Sequence, residues 1–500
     1  MTALIIHGHF YQPPRDDPWT GEIGRQESAA PYHDWNERIH DESYGPNAFA
    51  HIINGQGVVE RTVNNYANIS FNFGPTLLSW LERRHPETYR RIIAADKESE
   101  QKRGGHGNAI AQAYGHAILP LCNDRDRLTQ VLWGLSDFRH RFGRDPESLW
   151  LPETACDNAT LRLLIGQGLR FVILAPDQAL RWRPAGSRDW QQVGPQGINT
   201  GRAYRYLDED GRSIAIFFYD GPLARAVAFE KALASSAVLV EMFKQAASAG
   251  TLVNIATDGE TYGHHYKFGD LCLAHALEIE AKEAGFWITN YGEYLDRYPP
   301  EFEVEVKEFS SWSCAHGIDR WRDDCGCHTG GDFSWNQQWR RPLRAALDFL
   351  RDRAAQVFEN RGRELLLDPW AARDNHIEVL LGFESFGEFL SRHSRRVLSD
   401  LEKENVRALL DMQHNALLMF TSCAWFFSEL SGIETVQIMK YAARVIEILA
   451  RFDLPAVREQ FLELMAAAKS NIPEKGNGAD IFLRCAEPYR VILEPAFHDE

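Results

Sequence analysis

Cysteine is sparse in this chain, and basic charge is outnumbered by acidic. Eight cysteines are spread over 500 residues, at positions 122, 156, 272, 314, 325, 327, 423 and 485, most of them isolated. This is not the framework of a disulfide-stapled secreted domain, and a reducing, cytoplasmic setting is expected. Lys and Arg number 54 against 70 Asp and Glu, a formal net charge of −16. Nucleic-acid binders carry basic patches, so no nucleic-acid partner is expected. The acidity mostly reports solubility and suits a neutral or cationic ligand. No run approaches the ~18–20 uncharged apolar residues of a membrane span, so no membrane partner is expected either. The opening Met1-Thr2-Ala3-Leu4-Ile5-Ile6-His7 has no basic n-region and no long apolar core, and reads as a strand rather than a signal peptide. Internal repeats and low-complexity tracts are also lacking.

What is present is an ordinary globular composition, 44% apolar and 25% charged. A chain of 500 residues allows two to four domains, or one barrel with an appendage. Residues 1–300 read as α/β. Apolar runs predict strands at 3–8, 68–73, 148–152, 170–174, 213–219 and 252–257, and periodicity predicts helices at 76–96, 108–115, 125–141, 158–168, 228–248 and 270–284. Their alternation implies a parallel sheet, open or closed. Residues 175–212, rich in Arg, Trp, Gly and Pro, read as a long irregular insertion and a candidate lid. A second irregular stretch, 301–336, holds most of the clustered Cys and Trp. From 337 the pattern turns all-helical, with segments at 337–359, 373–391, 395–415, 417–431, 433–451 and 454–470.

Three segments end in bursts of chemistry-bearing residues: His7-Gly8-His9, Pro152-Glu153 after Leu149-Trp150-Leu151, and Asp258-Gly259-Glu260 after Leu252–Thr257. Buried parallel strands stop in this way. Ligands of barrels and open α/β sheets sit beyond the carboxyl ends of such strands. A glutamate and an aspartate from distant positions are thereby set across one cleft, the arrangement that glycoside hydrolysis needs. The plainer reading of Glu153 is a salt-bridged or helix-capping residue. Around Asp258, ten residues (256–265) hold two acids, two His and two Gly. Crowding ionisable groups at a strand end is unfavourable without a functional demand, so this segment reads as functional.

His7 and His9 project to the same side of an extended chain. They suit hydrogen bonds to sugar hydroxyls and equally suit metal ligation, as in barrel metallohydrolases. His116 reads as structural or substrate-binding, and Asp220 is a further strand-end acid. Trp312 and Trp321 offer stacking surface for sugars or satellite core. Cys314, Cys325, Cys327 and His328 have the residue types of a zinc site, but the spacing is tighter than common zinc knuckles and favours a packed loop with inert thiols.

Together these segments resemble glycoside hydrolase family 57. His7-Gly8-His9-Phe10-Tyr11-Gln12-Pro13 resembles its first signature, His-x-His followed by Gln-Pro, stretched here by Phe-Tyr. Tyr114 to Leu121 is similar to the second, Trp150-Leu151-Pro152-Glu153 to the third, Asp258-Gly259-Glu260 to the fourth and Ser311-Trp312 to the fifth. All five occur in order, far more specific than any one alone. The resemblance implies a distorted (β/α)7-type barrel followed by an all-helical C-terminal domain. It also implies a retaining mechanism with no catalytic metal and no cofactor. The family's activities include α-amylase, 4-α-glucanotransferase, α-1,4-glucan branching, amylopullulanase and α-galactosidase. The run His9-Phe10-Tyr11-Gln12-Pro13-Pro14-Arg15, with Ser311–Gly317 and Cys325–His328, resembles a subgroup carrying a helical domain of unknown function. Its members often run longer, which leaves open whether this chain is a shortened form. Ala111-Gln112-Ala113 stands where some members have an acidic residue, which leaves the sugar open.

The expected organisation is a catalytic barrel at 1–300, a segment at 301–336 completing the active site, and a helical domain at 337–500. The resemblance makes Glu153 the nucleophile and Asp258 the general acid/base of a double displacement on an α-1,4-linked glucan, by hydrolysis or transfer. Asp258 must then have a raised pKa, through burial or a neighbouring carboxylate. The expected substrate-binding set is His7, His9, Gln12, His116, Trp150, Asp220, Glu260, His264, Trp312, His316 and Trp321. Two alternatives stand beside this: a metal-dependent carbohydrate hydrolase or deacetylase with His7, His9 and Asp258 as ligands, and a non-catalytic glucan-binding protein.

Overall fold

A computed structural model of the chain describes residues 1–452 and 456–487. They form two compact units. The first comprises residues 1–12, 25–113 and 138–313, and the second comprises 13–24, 114–137 and the chain from Cys314 onward. The N-terminal half of the sequence thus contributes to both units, and residues 301–313 go with the first.

The first unit is built on seven strands: β1 (Ala3–Phe10), β2 (Ser70–Phe73), β3 (Ala111–Gln112), β4 (Leu149–Trp150), β5 (Phe171–Leu174), β6 (Ser213–Phe218) and β7 (Leu252–Asp258). β1 is parallel to β7 along its length, from Ala3 opposite Leu252 to His9 opposite Asp258. On its other edge β1 pairs in parallel with β2, His7 opposite Ser70 and His9 opposite Asn72. A single parallel bridge from Phe71 to Ala109 leads to β3, and another from Ser148 to Phe171 joins β4 to β5. Parallel ladders link β3 to β4 and β5 to β6.

Among the described residues no ladder joins β6 to β7. That seam is held by the Asp220 peptide N–H, which donates to the Asn254 carbonyl at 2.8 Å, and by the Asn254 amide, which donates to the Phe218 carbonyl at 3.2 Å. The strands therefore close into the distorted (β/α)7-type barrel. Parallel strands covered on both faces require continuous apolar runs. Accordingly, all eight residues of β1 are buried. Each buried aliphatic side chain there contributes about 1.5–3 kcal/mol.

Several expected elements differ. Residues 108–115 are not a helix: their Ala and Gln favour one locally, but parallel pairing with β4 draws Ala111–Gln112 into the barrel. Residues 175–212 are not an irregular lid. Ala179–Pro184, Gln191–Gln192 and Ala203–Leu207 are strands, which with Phe302–Val306 extend β5 and β6 into a six-stranded sheet. Cross-strand ion pairs explain the arginines, with Arg181 on Glu305 at 2.8 Å, Arg183 on Glu303 at 2.7 Å and Arg205 on Glu303 at 2.9 Å. The predicted helix at 228–248 is two helices, Gly221–Phe229 and Ser236–Ala246.

The second unit is helical. Its longest element, Arg340–Leu365, has 26 residues, and Asp400–Leu418, Ile433–Ala450, Ala456–Met465 and Gly478–Cys485 follow. The predicted helix at 373–391 is broken into Pro369–Asn375, Ile377–Leu380 and Phe386–His393. Most of 417–431 is loop around the short helix Cys423–Phe426. The start of the predicted helix at 454–470 lies outside the described residues. Segment 114–137 packs Trp133 against Ile377 and Leu417, and its Asp126 pairs with Arg373 at 2.7 Å. No helix among the described residues is long and apolar enough to cross a membrane.

Asn254 is the one amide inside the apolar run of β7, and its Nδ2 also donates to the Thr200 carbonyl at 3.0 Å. Asn254→Val is expected to leave the Thr200 and Phe218 carbonyls without these donors, at about 1–3 kcal/mol each. Denaturant unfolding should show a lower midpoint, and an unchanged midpoint would mean the seam does not depend on this amide.

Candidate active site

The carboxyl ends of the barrel strands carry the polar residues, as the sequence pattern requires. β1 contributes His7 and His9, which point the same way. β2 contributes Ser70 and Asn72 at the matching alternate positions. His7 spends both ring nitrogens on this neighbour: Nδ1 lies 3.0 Å from Ser70 Oγ and Nε2 lies 3.1 Å from Asn72 Oδ1. Asn72 Nδ2 lies 2.9 Å from His9 Nδ1 and 2.7 Å from Gln112 Oε1. His9 Nδ1 also lies 3.3 Å from Asn72 Oδ1, but the amide nitrogen at 2.9 Å is the nearer atom and only donates, so His9 Nδ1 accepts and its proton sits on Nε2. Asn72 Oδ1 only accepts, so His7 donates from Nε2. One side chain thus sets the tautomer of both imidazoles. Burial pushes the pKa of each down to about 3 and keeps both rings neutral.

Trp150 lies beneath both rings, stacked on His7 at 4.7 Å and on His9 at 5.0 Å. It is buried. It forms the floor on which the two histidines stack. Both ring nitrogens of His7, one of the three ligands of the metal-dependent alternative, are hydrogen-bonded to protein.

Glu153 follows β4 in a tight turn. Its φ is 58° and that of Thr154 is 50°, so two successive residues with side chains sit in the left-handed region. Such conformations are unfavourable, persist only where surrounding structure enforces them, and cluster at functional sites. Here the enforcement is visible. The Trp312 peptide N–H donates to the Glu153 carbonyl at 3.1 Å. The Trp312 indole N–H and the Ser313 hydroxyl both donate to Glu153 Oε2, at 3.0 and 2.7 Å. Two donors on one oxygen favour the ionised carboxylate.

Asp258 ends β7 beside His9. Its side chain is reachable by water, yet it stands within the ring of strand ends. Enclosure by protein first, and the Glu153 charge second, raise its pKa from 3.8 to about 7. Glu260 is more deeply placed. Its Oε1 accepts from the Tyr44 hydroxyl at 2.6 Å and from the Tyr11 peptide N–H at 3.0 Å, while burial and the Asp258 charge raise its pKa to about 8. The turn between the two acids is tight: a Cβ on Gly259 would lie 2.3 Å from the buried Phe10 ring.

The structure therefore brings His7, His9, Trp150, Glu153, Asp258, Glu260 and Trp312 to one end of the barrel. Gln12 donates to the Tyr11 carbonyl at 3.1 Å. Asp220 caps the helix Gly221–Phe229, accepting from the Leu223 N–H at 2.9 Å, which gives it a structural task. His264 pairs with Glu42. The remaining candidates belong to the second unit. His116 is buried with Nδ1 2.6 Å from Ser422 Oγ, Trp321 is fully buried, and His316 joins the cysteines. Ser70, Asn72, Gln112, Tyr44 and Ser313 were not anticipated. The signal available for two of them was Ser70 and Asn72 alternating with phenylalanine in β2, polar on the face that points inward.

A family model for glycosyl hydrolase family 57 matches residues 19–307, more than half of the chain. The chain belongs to glycosyl hydrolase family 57. A second model, for a domain of unknown function (DUF3536), matches residues 335–497. Alpha-amylase 1 of Dictyoglomus thermophilum is 24% identical over 150 residues, which are 30% of this chain but only 19% of that protein. Among solved structures, an exo-type maltose-forming amylase from Pyrococcus sp. ST04 superposes with a TM-score of 0.68 at 16% identity, covering 92% of this chain and 82% of the other. A family 57-type branching enzyme from Pyrococcus horikoshii gives a TM-score of 0.54 at 16% identity over 99% and 95% of the two chains. At these identities the likeness is one of fold.

Because Asp258 holds its proton up to about pH 7 in the folded chain against an ordinary 3.8, its contribution to stability is complete below about pH 4 and is lost as the pH rises through 7. Asp258→Asn removes this loss. Denaturant unfolding of the two proteins should show the variant's relative stability rising between about pH 4 and 7 and level above it. A difference constant with pH would contradict the raised carboxyl.

Proposed function

We propose that this family 57 protein is a retaining α-glucan-active enzyme that works by double displacement. Glu153 attacks the anomeric carbon, and Asp258 protonates the departing glycosidic oxygen. The C–O bond to the leaving group breaks as the bond to Glu153 Oε forms. Asp258, now ionised, then takes a proton from water or from an acceptor sugar hydroxyl, whose oxygen displaces Glu153. The observation that carries this reading is the contrast between the two carboxyl groups. Glu153 receives two hydrogen bonds on one oxygen, whereas Asp258 is enclosed beside that charge and lifted to about 7. A carboxylate held by two donors beside a carboxyl group whose pKa is raised divides the roles of nucleophile and acid.

Neutral His9, with its proton on Nε2, is a donor suited to a sugar hydroxyl. Glu260, held by Tyr44 and Tyr11, is a second candidate contact. The named activities of the similar proteins, amylase and branching enzyme, support an α-1,4-linked glucan as substrate. A cytoplasmic setting agrees with the free thiols.

The reading is tested on maltooligosaccharides and amylose. Glu153→Gln and Asp258→Asn should each lose activity by about 10²–10⁴-fold or more. The wild-type rate should fall above about pH 7 as the acid loses its proton. The first-formed product, followed by NMR, should be the α-anomer, and a β-anomer would overturn retention. Longer oligosaccharides in the product ladder would mark transfer, and shorter ones alone would mark hydrolysis.

A further inference from the structure

In the second unit, a turn following Cys314 and an extended stretch through Cys325 and Cys327 approach each other. Cys314 and His316 stand on one, Cys325 and Cys327 on the other. Their four candidate ligand atoms lie within 4.8 Å of one another, and among the described residues no other group of this kind is so gathered. Cys314 Sγ is 3.7 Å from Cys327 Sγ and 3.9 Å from Cys325 Sγ, and Cys327 Sγ is 3.6 Å from His316 Nδ1. All four residues thus sit at non-bonded spacing, and the cysteines are free.

Three of the six spacings among these atoms match the edges of a zinc tetrahedron. With Zn–S of ~2.3 Å and Zn–N of ~2.0–2.1 Å, tetrahedral angles give ~3.8 Å between sulfurs and ~3.6 Å between sulfur and nitrogen. The surroundings fit as well. The Cys327 peptide N–H donates to Cys325 Sγ at 3.4 Å. Peptide donors of this kind orient and stabilise thiolate ligands.

Charge supplies an independent argument. Arg340 is fully buried at the start of the helix Arg340–Leu365. Its Nη1 donates to Cys325 Sγ at 3.7 Å and its Nη2 to the Cys327 carbonyl at 3.2 Å, and no carboxylate among the described residues pairs with it. Three neutral thiols would leave a buried guanidinium uncompensated, which is strongly unfavourable. Three thiolates, a neutral imidazole and a divalent ion sum to −1 and balance it.

We propose that Cys314, His316, Cys325 and Cys327 bind one structural zinc ion. Three soft thiolates and one imidazole in a tetrahedral array select zinc, and a full set of four protein ligands makes the site structural rather than catalytic. Binding forms three Zn–S bonds and one Zn–N bond and releases the three thiol protons to solvent. The fourth ligand is His316, expected from the sequence to touch substrate. His328, the neighbour of Cys327 in the chain, turns away: its Nε2 lies 2.8 Å from the Asp332 carbonyl and its ring stacks on Phe333.

The test is metal analysis of the full chain, purified under reducing conditions and dialysed against metal-free buffer. One zinc per chain is expected. Replacing zinc by cobalt(II) should give the intense visible bands of a tetrahedral cobalt–thiolate centre. His316→Ala and Cys327→Ser should lose the metal, whereas His328→Ala should keep it. Absence of stoichiometric zinc even after reconstitution with zinc, or a cobalt form without thiolate bands, would overturn the proposal. So would loss of metal in His328→Ala with retention in His316→Ala. The wild-type measurements stand even if a variant fails to fold, and none of these readouts depends on glucan activity.

Discussion

A parallel sheet has two open edges until its outermost strands meet, and here they meet at Asn254. β6 and β7 share no ladder, so ring closure depends on the two hydrogen bonds that Asn254 makes across the seam. The requirement accounts for an amide in the middle of an apolar strand, where asparagine is otherwise disfavoured. Closure is also what gives the site its character. Asp258 would be an ordinary strand-end aspartate on an open edge. Within the ring it is surrounded by protein on several sides although its side chain stays exposed, and it lies near the Glu153 charge; both influences act on its proton.

The same end of the barrel holds charge by restricting where charge can form. Burial keeps His7 and His9 neutral rather than cationic, and the Asn72 amide orients both rings. Glu153 is stabilised by the Trp312 and Ser313 donors, and the ionisation of Asp258 and Glu260 is opposed by enclosure. No cationic side chain is needed to separate their roles. The strained backbone at Glu153 and Thr154 is the accompanying penalty, borne by the Trp312 peptide bond to the Glu153 carbonyl.

The parts of this arrangement legible in the sequence were those set by local pattern. β1 and β7 announce themselves as apolar runs ended by polar residues. Glu153 stands at the strand end that the run Leu149-Trp150-Leu151-Pro152 marks, although β4 is only two residues long. What could not be read were choices made by pairing. Ala111–Gln112 has helix-forming composition and becomes a strand only because Leu149–Trp150 lies beside it. The arginines of 179–205 look like loop residues until Glu303 and Glu305 arrive opposite them. The selection of His316 over His328 depends on how two stretches fold back, about which the Cys-x-Cys-His spacing is silent. Trp150 and Trp321 matched the residue type of sugar platforms, but burial, not composition, decides whether an aromatic face is available.

The path of the chain between its two units has a consequence for how the protein is made. The chain changes unit after residues 12, 24, 113, 137 and 313. Segments 13–24 and 114–137 are therefore synthesised well before the helices they pack on: Arg15 pairs with Glu434 at 3.7 Å, and Asp126 with Arg373 at 2.7 Å. A nascent chain leaving the ribosome can complete its barrel strands while Trp133 still waits for Ile377 and Leu417. For the same reason no single cut separates the two units. Dividing the chain between the two family matches, at residues 308–334, would leave both early segments on the barrel fragment with their apolar faces uncovered.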